Sequence, residues 1–230
     1  MSDARTTAKR LPAAPAQVLI VDDHPLVREG LAARLSSQPG LQVCGEAATV
    51  DEALALARAM RPALVIVDLA LRNGSGLDLI KQLARERGAP RPRILVVSAY
   101  EGGLLAERAL HAGAHGYINK QELQGSLLEA VRTVLGGSNY LGPELKQRFI
   151  DHAFISHRPA RSGIEALSDR ELQVFQLIGA GKSTRAIARQ LHVSIHTVES
   201  HREKIRLKLN LHDGSELLQA AIEWARESFR

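Results

Sequence analysis

Ala63-Leu64-Val65-Ile66-Val67-Asp68 is the stretch whose reading decides how this chain folds. An apolar run of this length, closed by a polar residue, reads as a strand buried on both faces, the pattern of a parallel sheet. Three other runs end the same way. Val18-Leu19-Ile20-Val21 stops at Asp22-Asp23, Ile94-Leu95-Val96-Val97 stops at Ser98, and Gly116-Tyr117-Ile118-Asn119 stops at Lys120. In parallel α/β sheets ligands sit in the crevice at the carboxyl ends of the strands. Three carboxylates, a hydroxyl and an amine are therefore expected to converge there. That set of groups suits a magnesium-dependent site that accepts a phosphoryl group.

Outward from Asp68, strand-like segments begin near 18, 41, 63, 93 and 115. Helical periodicity occupies about 26–37, 50–60, 75–88, 102–112 and 122–135. Five β-α pairs in succession predict a doubly wound five-stranded parallel sheet over 18–136. Gly136-Gly137-Ser138 breaks the last of these helices. Residues 137–162 read as a linker carrying a short amphipathic helix from Pro143 to Phe154, where Pro suits a helix start. The polar run His157-Arg158-Pro159-Ala160-Arg161-Ser162-Gly163 follows. Residues 163–228 show no strand pattern and predict a small all-α domain of four helices, near 168–180, 182–191, 195–209 and 214–227. Residues 1–17, rich in Ala, Pro and Thr, read as a disordered leader.

Composition narrows the function classes. At 230 residues the chain is long enough for two modest domains, and its 45% apolar content excludes wholesale disorder. With 3% aromatic residues, Ala and Leu must fill the cores. Cys44, the single cysteine, excludes an intrachain disulfide; it reads as a small buried strand residue in a reducing compartment. No apolar run approaches the ~20 residues of a membrane span, and 1–17 has no apolar core of a secretory signal, so a cytoplasmic location is expected. The net charge of +5 is spread thinly. Residues 18–136 hold 13 basic and 13 acidic side chains, and 163–230 hold ten against nine. A nucleic-acid partner must therefore be argued from the pattern of the last segment, not from charge.

Within the crevice each residue type has a chemical reason to be present. Asp22 and Asp23 are adjacent, so they cannot point the same way in a strand; the chain must turn, as Pro25 supports. Carboxylate oxygens suit Mg²⁺, which takes one or two of them together with phosphate oxygen and water. A carboxylate can itself attack phosphorus, giving an aspartyl phosphate. Lys120 supplies compact positive charge to the transferred group, and the Ser98 hydroxyl can bond one of its oxygens. His24 reads as a loop histidine. His111 and His115 have metal-like spacing, but Gly113 breaks the helix between them and no third ligand lies near in sequence.

The words Val21-Asp22-Asp23-His24-Pro25, Val67-Asp68-Leu69, Val97-Ser98-Ala99 and Gly116-Tyr117-Ile118-Asn119-Lys120 resemble the receiver domain of bacterial two-component response regulators over 18–136. The resemblance implies a flavodoxin-like receiver with Asp68 as phosphoacceptor. It also implies Mg²⁺ held by Asp22, Asp23, Asp68 and the backbone carbonyl of Ala70. Ser98 and Lys120 would then sense the phosphoryl group, and Tyr117 would be the aromatic switch, burying its ring as Ser98 and Lys120 are drawn inward. The loop after Asp68 departs from the family by placing Arg72 where a Pro is usual. Arg72 bears on the lifetime of the phosphoryl group, as do Ala70 and Tyr100, which flank the path of a hydrolysing water.

In the last segment Ser168 and Glu171 have capping-box spacing, and Leu172, Phe175 and Ile178 continue an apolar face. Gly179 and Gly181 stop that helix. Ser194 is the expected cap of a longer helix in which Val198, His201, Ile205 and Leu209 face inward. Helix, short turn and capped helix are the order of a helix-turn-helix. Leu-Ser-Asp-Arg-Glu-Leu, Ile-Ala-Arg-Gln-Leu, Val-Ser-Ile-His-Thr-Val-Glu-Ser-His and Lys-Leu-Asn-Leu resemble the LuxR/FixJ/NarL type of DNA-binding domain. By that resemblance residues 182–201 form the helix-turn-helix and 195–209 enters the major groove. Thr197, Lys204 and Lys208 would contact phosphates, while Glu199, Ser200 and Glu203 would face base edges.

Together these readings predict a phosphorylation-controlled transcription factor of the NarL/FixJ class. Its implied partners are a sensor histidine kinase, promoter DNA, a second copy of the chain when phosphorylated, and RNA polymerase. Two other classes compete. An aspartate-nucleophile phosphohydrolase wants a second acid two residues past its nucleophile, where this chain has Ala70, so an enzyme is not expected. A phosphorylation-independent DNA-binding regulator would use the receiver only as a dimerisation surface.

Overall fold

The computed structural model describes residues 14–71, 74–86, 91–99, 103–147 and 163–228. Five strands alternate with five helices: β1 (Ala16–Val21), α1 (Pro25–Ser36), β2 (Leu41–Ala47), α2 (Val50–Met60), β3 (Leu64–Val67), α3 (Gly76–Arg85), β4 (Arg93–Ser98), α4 (Gly103–Ala112), β5 (Gly116–Asn119) and α5 (Leu123–Leu135). A sixth strand, β6 (Tyr140–Leu141), follows them. The sheet is parallel throughout, in the order β2-β1-β3-β4-β5-β6. Without β6 this is the doubly wound order in which β1 and β3 flank the topological switch point.

The sheet is buried on both faces, as its apolar runs require. Leu19, Val21, Val65, Val67, Ile94 and Val96 pack into one core cluster, and Val18, Ile20, Leu64, Ile66, Leu95 and Val97 into the other. Each such side chain, removed fully from water, stabilises the fold by roughly 1.5–3 kcal/mol. Cys44 in β2 is only partly buried and packs beside the first cluster, where burial pushes its thiol up from the ordinary value.

Three boundaries differ from the expectation. β1 begins at Ala16, inside the expected leader, because the Ala16 amide reaches the Gly40 carbonyl at 2.9 Å. α3 ends at Arg85, short of the expected 88. The expected linker opens with β6, which pairs Gly116 with Tyr140 and Tyr117 with Leu141 and buries Tyr140 at 4% exposure. Helix follows at 143–147; the rest of the helix expected to Phe154, like Arg72 and Tyr100, lies outside the described residues.

The C-terminal segment folds into α6 (Asp169–Gly179), α7 (Thr184–Gln190), α8 (Ile195–Leu209) and α9 (Gly214–Ser228), with no strand among its described residues. The capping box forms: the Glu171 amide donates to Ser168 Oγ at 3.3 Å, and the Ser168 amide donates to Glu171 Oε2 at 2.7 Å. Phe175 is fully buried against Trp224, with ring centroids 5.9 Å apart. Gly179 closes α6 for a packing reason: a Cβ there would lie 2.4 Å from the Ala221 carbonyl oxygen, so α6 and α9 cross only without a side chain. Gly181, at φ +72, supplies the left-handed residue that lets the chain leave the helix.

Candidate functional site

The four strand ends bring their polar residues together at one edge of the sheet. Asp22 and Asp23 follow β1, Asp68 follows β3, Ser98 ends β4 and Lys120 follows β5. All but Lys120 are buried, with Asp22 at 1%, Asp23 at 8%, Asp68 at 2% and Ser98 at 0% exposure. The Lys120 ammonium lies 2.7 Å from Asp22 Oδ2 and 2.8 Å from Asp68 Oδ2. Asp68 Oδ1 accepts from the Ala70 amide at 3.2 Å, which pins the carboxylate's orientation. The main chain behind it is held by Gly76, where a Cβ would lie 2.3 Å from the Asp68 carbonyl oxygen.

Electrostatics set the two key protonation equilibria. Burial raises the Asp68 pKa, the Asp22 charge adds to that, and the Lys120 charge opposes it without cancelling it. Burial works against the Lys120 charge, but Asp68 and Asp22 outweigh it and hold the ammonium above its ordinary value. The result is a buried carboxylate with a raised pKa beside a lysine held in its charged form.

His24 lies in the loop after β1, as expected, with its side chain 54% exposed and its ring turned toward the site. Its Nδ1 lies 2.9 Å from Asp23 Oδ1 and 3.2 Å from Asp22 Oδ1. Asp22, Asp23, His24 and Asp68 each offer one ligand atom, and these atoms all lie within 4.8 Å of one another. Adjacency to two acids was the available signal. Three buried carboxylates facing one lysine fit a hard divalent cation with oxygen ligands. The Tyr117 ring is already inward, at 3% exposure in the same core cluster as Val96. The inward swing expected of it on phosphorylation therefore starts from a ring that is already buried.

The DNA-reading candidates lie along α8. Ser194 caps the helix, its Oγ accepting from the Thr197 amide at 3.0 Å, and lies 2.8 Å from Thr197 Oγ1. Val198 and Ile205 are fully buried, as their spacing predicts, while His201 and Leu209 are half-buried. Lys204 is exposed and Ser200 half-buried. Glu199 pairs with Arg202 at 3.4 Å and Glu203 with Arg206 at 3.2 Å, each three residues along the helix. Lys208 differs from expectation. Its ammonium donates to Glu171 Oε2 at 2.6 Å and to the Ala166 carbonyl at 3.1 Å, so it is committed inside the domain rather than held out for a phosphate. Glu171 is desolvated, which by itself would raise its pKa, but the Lys208 bond prevails and holds it below its ordinary value.

Comparison with known proteins follows this division. The family model "Response regulator receiver domain" matches residues 18–132, and "Bacterial regulatory proteins, luxR family" matches 165–221. The chain is 33% identical to the response regulator GacA of Pseudomonas protegens, over 90% of this chain and 95% of that one. It is 32% identical to the response regulator UvrY of Escherichia coli O157:H7, over 89% and 93% respectively. Among solved structures, a two-component response regulator of the LuxR family from Aurantimonas sp. SI85-9A1 superposes with a TM-score of 0.58 at 33% identity, covering 61% of this chain and 99% of that one. The RcsB response regulator of Salmonella typhimurium shares the fold, with a TM-score of 0.69 over 92% of this chain and 98% of its own, at 24% identity. No helix among the described residues is long and apolar enough to cross a membrane.

Proposed function

Because the chain belongs to the two-component response regulators with a LuxR-type DNA-binding domain, we propose that a sensor histidine kinase phosphorylates Asp68 and that this controls promoter binding by the C-terminal half. The observation that carries the reading is the convergence of Asp22, Asp23, Asp68, Ser98 and Lys120 from four strand ends. An Asp68 carboxylate oxygen bonds to phosphorus as the bond to the donor nitrogen breaks, and that electron pair stays on the kinase's imidazole. Burial raises the Asp68 pKa, which makes its ionised carboxylate a better nucleophile than an exposed aspartate. Lys120 neutralises charge on the transferred group, the Ser98 hydroxyl donates to one of its oxygens, and Tyr117 packs behind them. Asp22, Asp23, Asp68 and the Ala70 carbonyl would hold Mg²⁺, which when bound screens the phosphoryl oxygens from the carboxylates.

The working units are then 18–136 as receiver, 137–162 as linker and 163–228 as DNA-binding domain, acting in the cytoplasm. α8 would lie in the major groove, with Thr197 and Lys204 on phosphates and Glu199, Ser200 and Glu203 facing base edges. A phosphorylated dimer would place two such helices on half-sites about one helical turn apart and present a surface to RNA polymerase. Acetyl phosphate with Mg²⁺ should label wild type and leave Asp68→Asn unlabelled; label retained by the variant would move the acceptor elsewhere.

One observation favours a second reading. The outer face of α8 is open, Ile195 being 48% exposed and the Glu199 side chain 54%. Such a face is compatible with a regulator that binds DNA whatever the state of Asp68.

A further inference from the structure

His24 occupies the cap position of α1, but its side chain makes no bond to that helix. At the starts of α2, α3, α6, α7 and α8 the corresponding side chains, Thr49, Ser75, Ser168, Ser183 and Ser194, each accept from a helix amide. The His24 ring is turned toward the crevice instead, with Nδ1 2.9 Å from Asp23 Oδ1 and 3.2 Å from Asp22 Oδ1. Two further bonds pin the turn that aims it. The His24 amide donates to Asp22 Oδ1 at 2.8 Å, and Arg28 Nη1 donates to the Asp22 carbonyl at 2.6 Å.

The Asp22 carboxylate is thereby shared between two neighbours. Its Oδ2 meets the Lys120 ammonium, which also meets Asp68 Oδ2, and its Oδ1 meets His24. Three carboxylates against one lysine leave two negative charges, which one divalent cation cancels. Atoms that ligate one ion at ~2.1 Å lie about 3.0–3.4 Å apart as the angle between them runs from octahedral to tetrahedral. Both separations from His24 Nδ1 are already close to that spacing, and one ligand atom from each of Asp22, Asp23, His24 and Asp68 lies within 4.8 Å of the others. Mg²⁺ takes oxygen ligands and keeps its waters, so it makes little use of an imidazole, whereas Zn²⁺ and similar ions bind imidazole well.

We propose that His24 is a metal ligand which, with Asp22, Asp23 and Asp68, raises the affinity of the crevice for a transition-metal dication of the Zn²⁺ type relative to Mg²⁺. The imidazole nitrogen takes a place on the ion that a crevice of carboxylates alone leaves to water. Three carboxylate oxygens and one nitrogen are enough to complete a tetrahedral Zn²⁺ set. The proposal rests on the reading of the crevice as a metal site, and adds a residue that tunes which ion it prefers.

The test is the affinity of the full chain for Zn²⁺ and, separately, for Mg²⁺, in wild type and in His24→Phe. The variant keeps a ring at this exposed position but has no nitrogen to offer. Its Zn²⁺-to-Mg²⁺ affinity ratio should fall about 10-fold or more, at least what is lost when a residue behind a metal ligand is removed. A nitrogen NMR spectrum of the imidazoles locates the effect. One equivalent of Zn²⁺ should move the His24 Nδ1 signal, identified by its loss in His24→Phe, to the metal-ligated position, and Mg²⁺ should not. An unchanged ratio, or a His24 signal that Zn²⁺ leaves in place, would overturn the proposal. A wild-type chain that binds neither ion would instead overturn the underlying reading of the crevice as a metal site.

Discussion

Asp68 and Glu203 are both carboxylates beside a cation, yet Asp68 is 2% exposed between Asp22 and Lys120, whereas the Glu203 side chain stands 54% exposed beside Arg206. In the crevice, low dielectric makes each charge feel the others strongly, so its basicity is set by where the sheet puts it. On α8 water screens the pairs, which are worth little to stability. The first region has its chemistry built in, and the second acquires one only when a partner excludes water from it. That contrast explains why the receiver residues can be given individual tasks while those of α8 share one surface.

The largest effect that could break the comparison is the labelling of Asp68→Asn, which should fall to zero although every other crevice residue remains. Next, Gly76→Ala should cost about 1–3 kcal/mol in urea unfolding, because the added methyl meets the Asp68 carbonyl in a packed region. Leu207→Ala on the α8 surface, 71% exposed, should stay within about 0.5 kcal/mol. Equal losses from the two would erase the distinction between regions. Lys208→Ala sharpens it from the other side. It removes the partner of the buried Glu171 and should cost about 1–3 kcal/mol of stability in the C-terminal half. A Lys208→Ala chain that keeps its stability but loses about one unit of the salt slope of DNA binding would restore Lys208 as a phosphate contact.

Titration gives a smaller effect with a definite sign. The folded-state pKa of Asp68 is raised, so its ionised form destabilises the metal-free fold above that pKa, and the penalty disappears as pH falls toward the unfolded value near ~3.9. Asp68→Asn should therefore raise the metal-free melting temperature at pH 7, and the gain should shrink toward pH 4. The smallest effect is on sequence preference. Carboxylates accept from cytosine amino groups, so Glu203→Ala should reduce a preference for C·G pairs in DNA selected by the chain. An unchanged selected sequence would remove Glu203 from base reading.

The strands and helices of both halves were legible because apolar period and caps are local signals, as the Ser168–Glu171 capping box illustrates. The convergence of the crevice was legible too, since topology carries every parallel strand end to the same edge. Other features depended on packing between segments far apart. β6 is two residues long, too short to carry a pattern, and is defined only by pairing with β5. The commitment of Lys208 to Glu171, the grip of Lys81 and Arg108 on Asp169, and the buried start of Tyr117 are all set by distant partners. No neighbouring residue announces them. For His24 the sequence offered adjacency to two acids, and only the turn after β1 aims its ring at them.

Whether phosphorylation of Asp68 controls DNA binding is decided by one paired titration. Promoter affinity and oligomeric state are measured for wild type and Asp68→Asn, each with and without acetyl phosphate and Mg²⁺ at fixed salt. Phosphorylated wild type should bind more tightly and form a dimer, and the variant should not respond. Wild-type affinity that is the same with and without the phosphodonor would contradict that control.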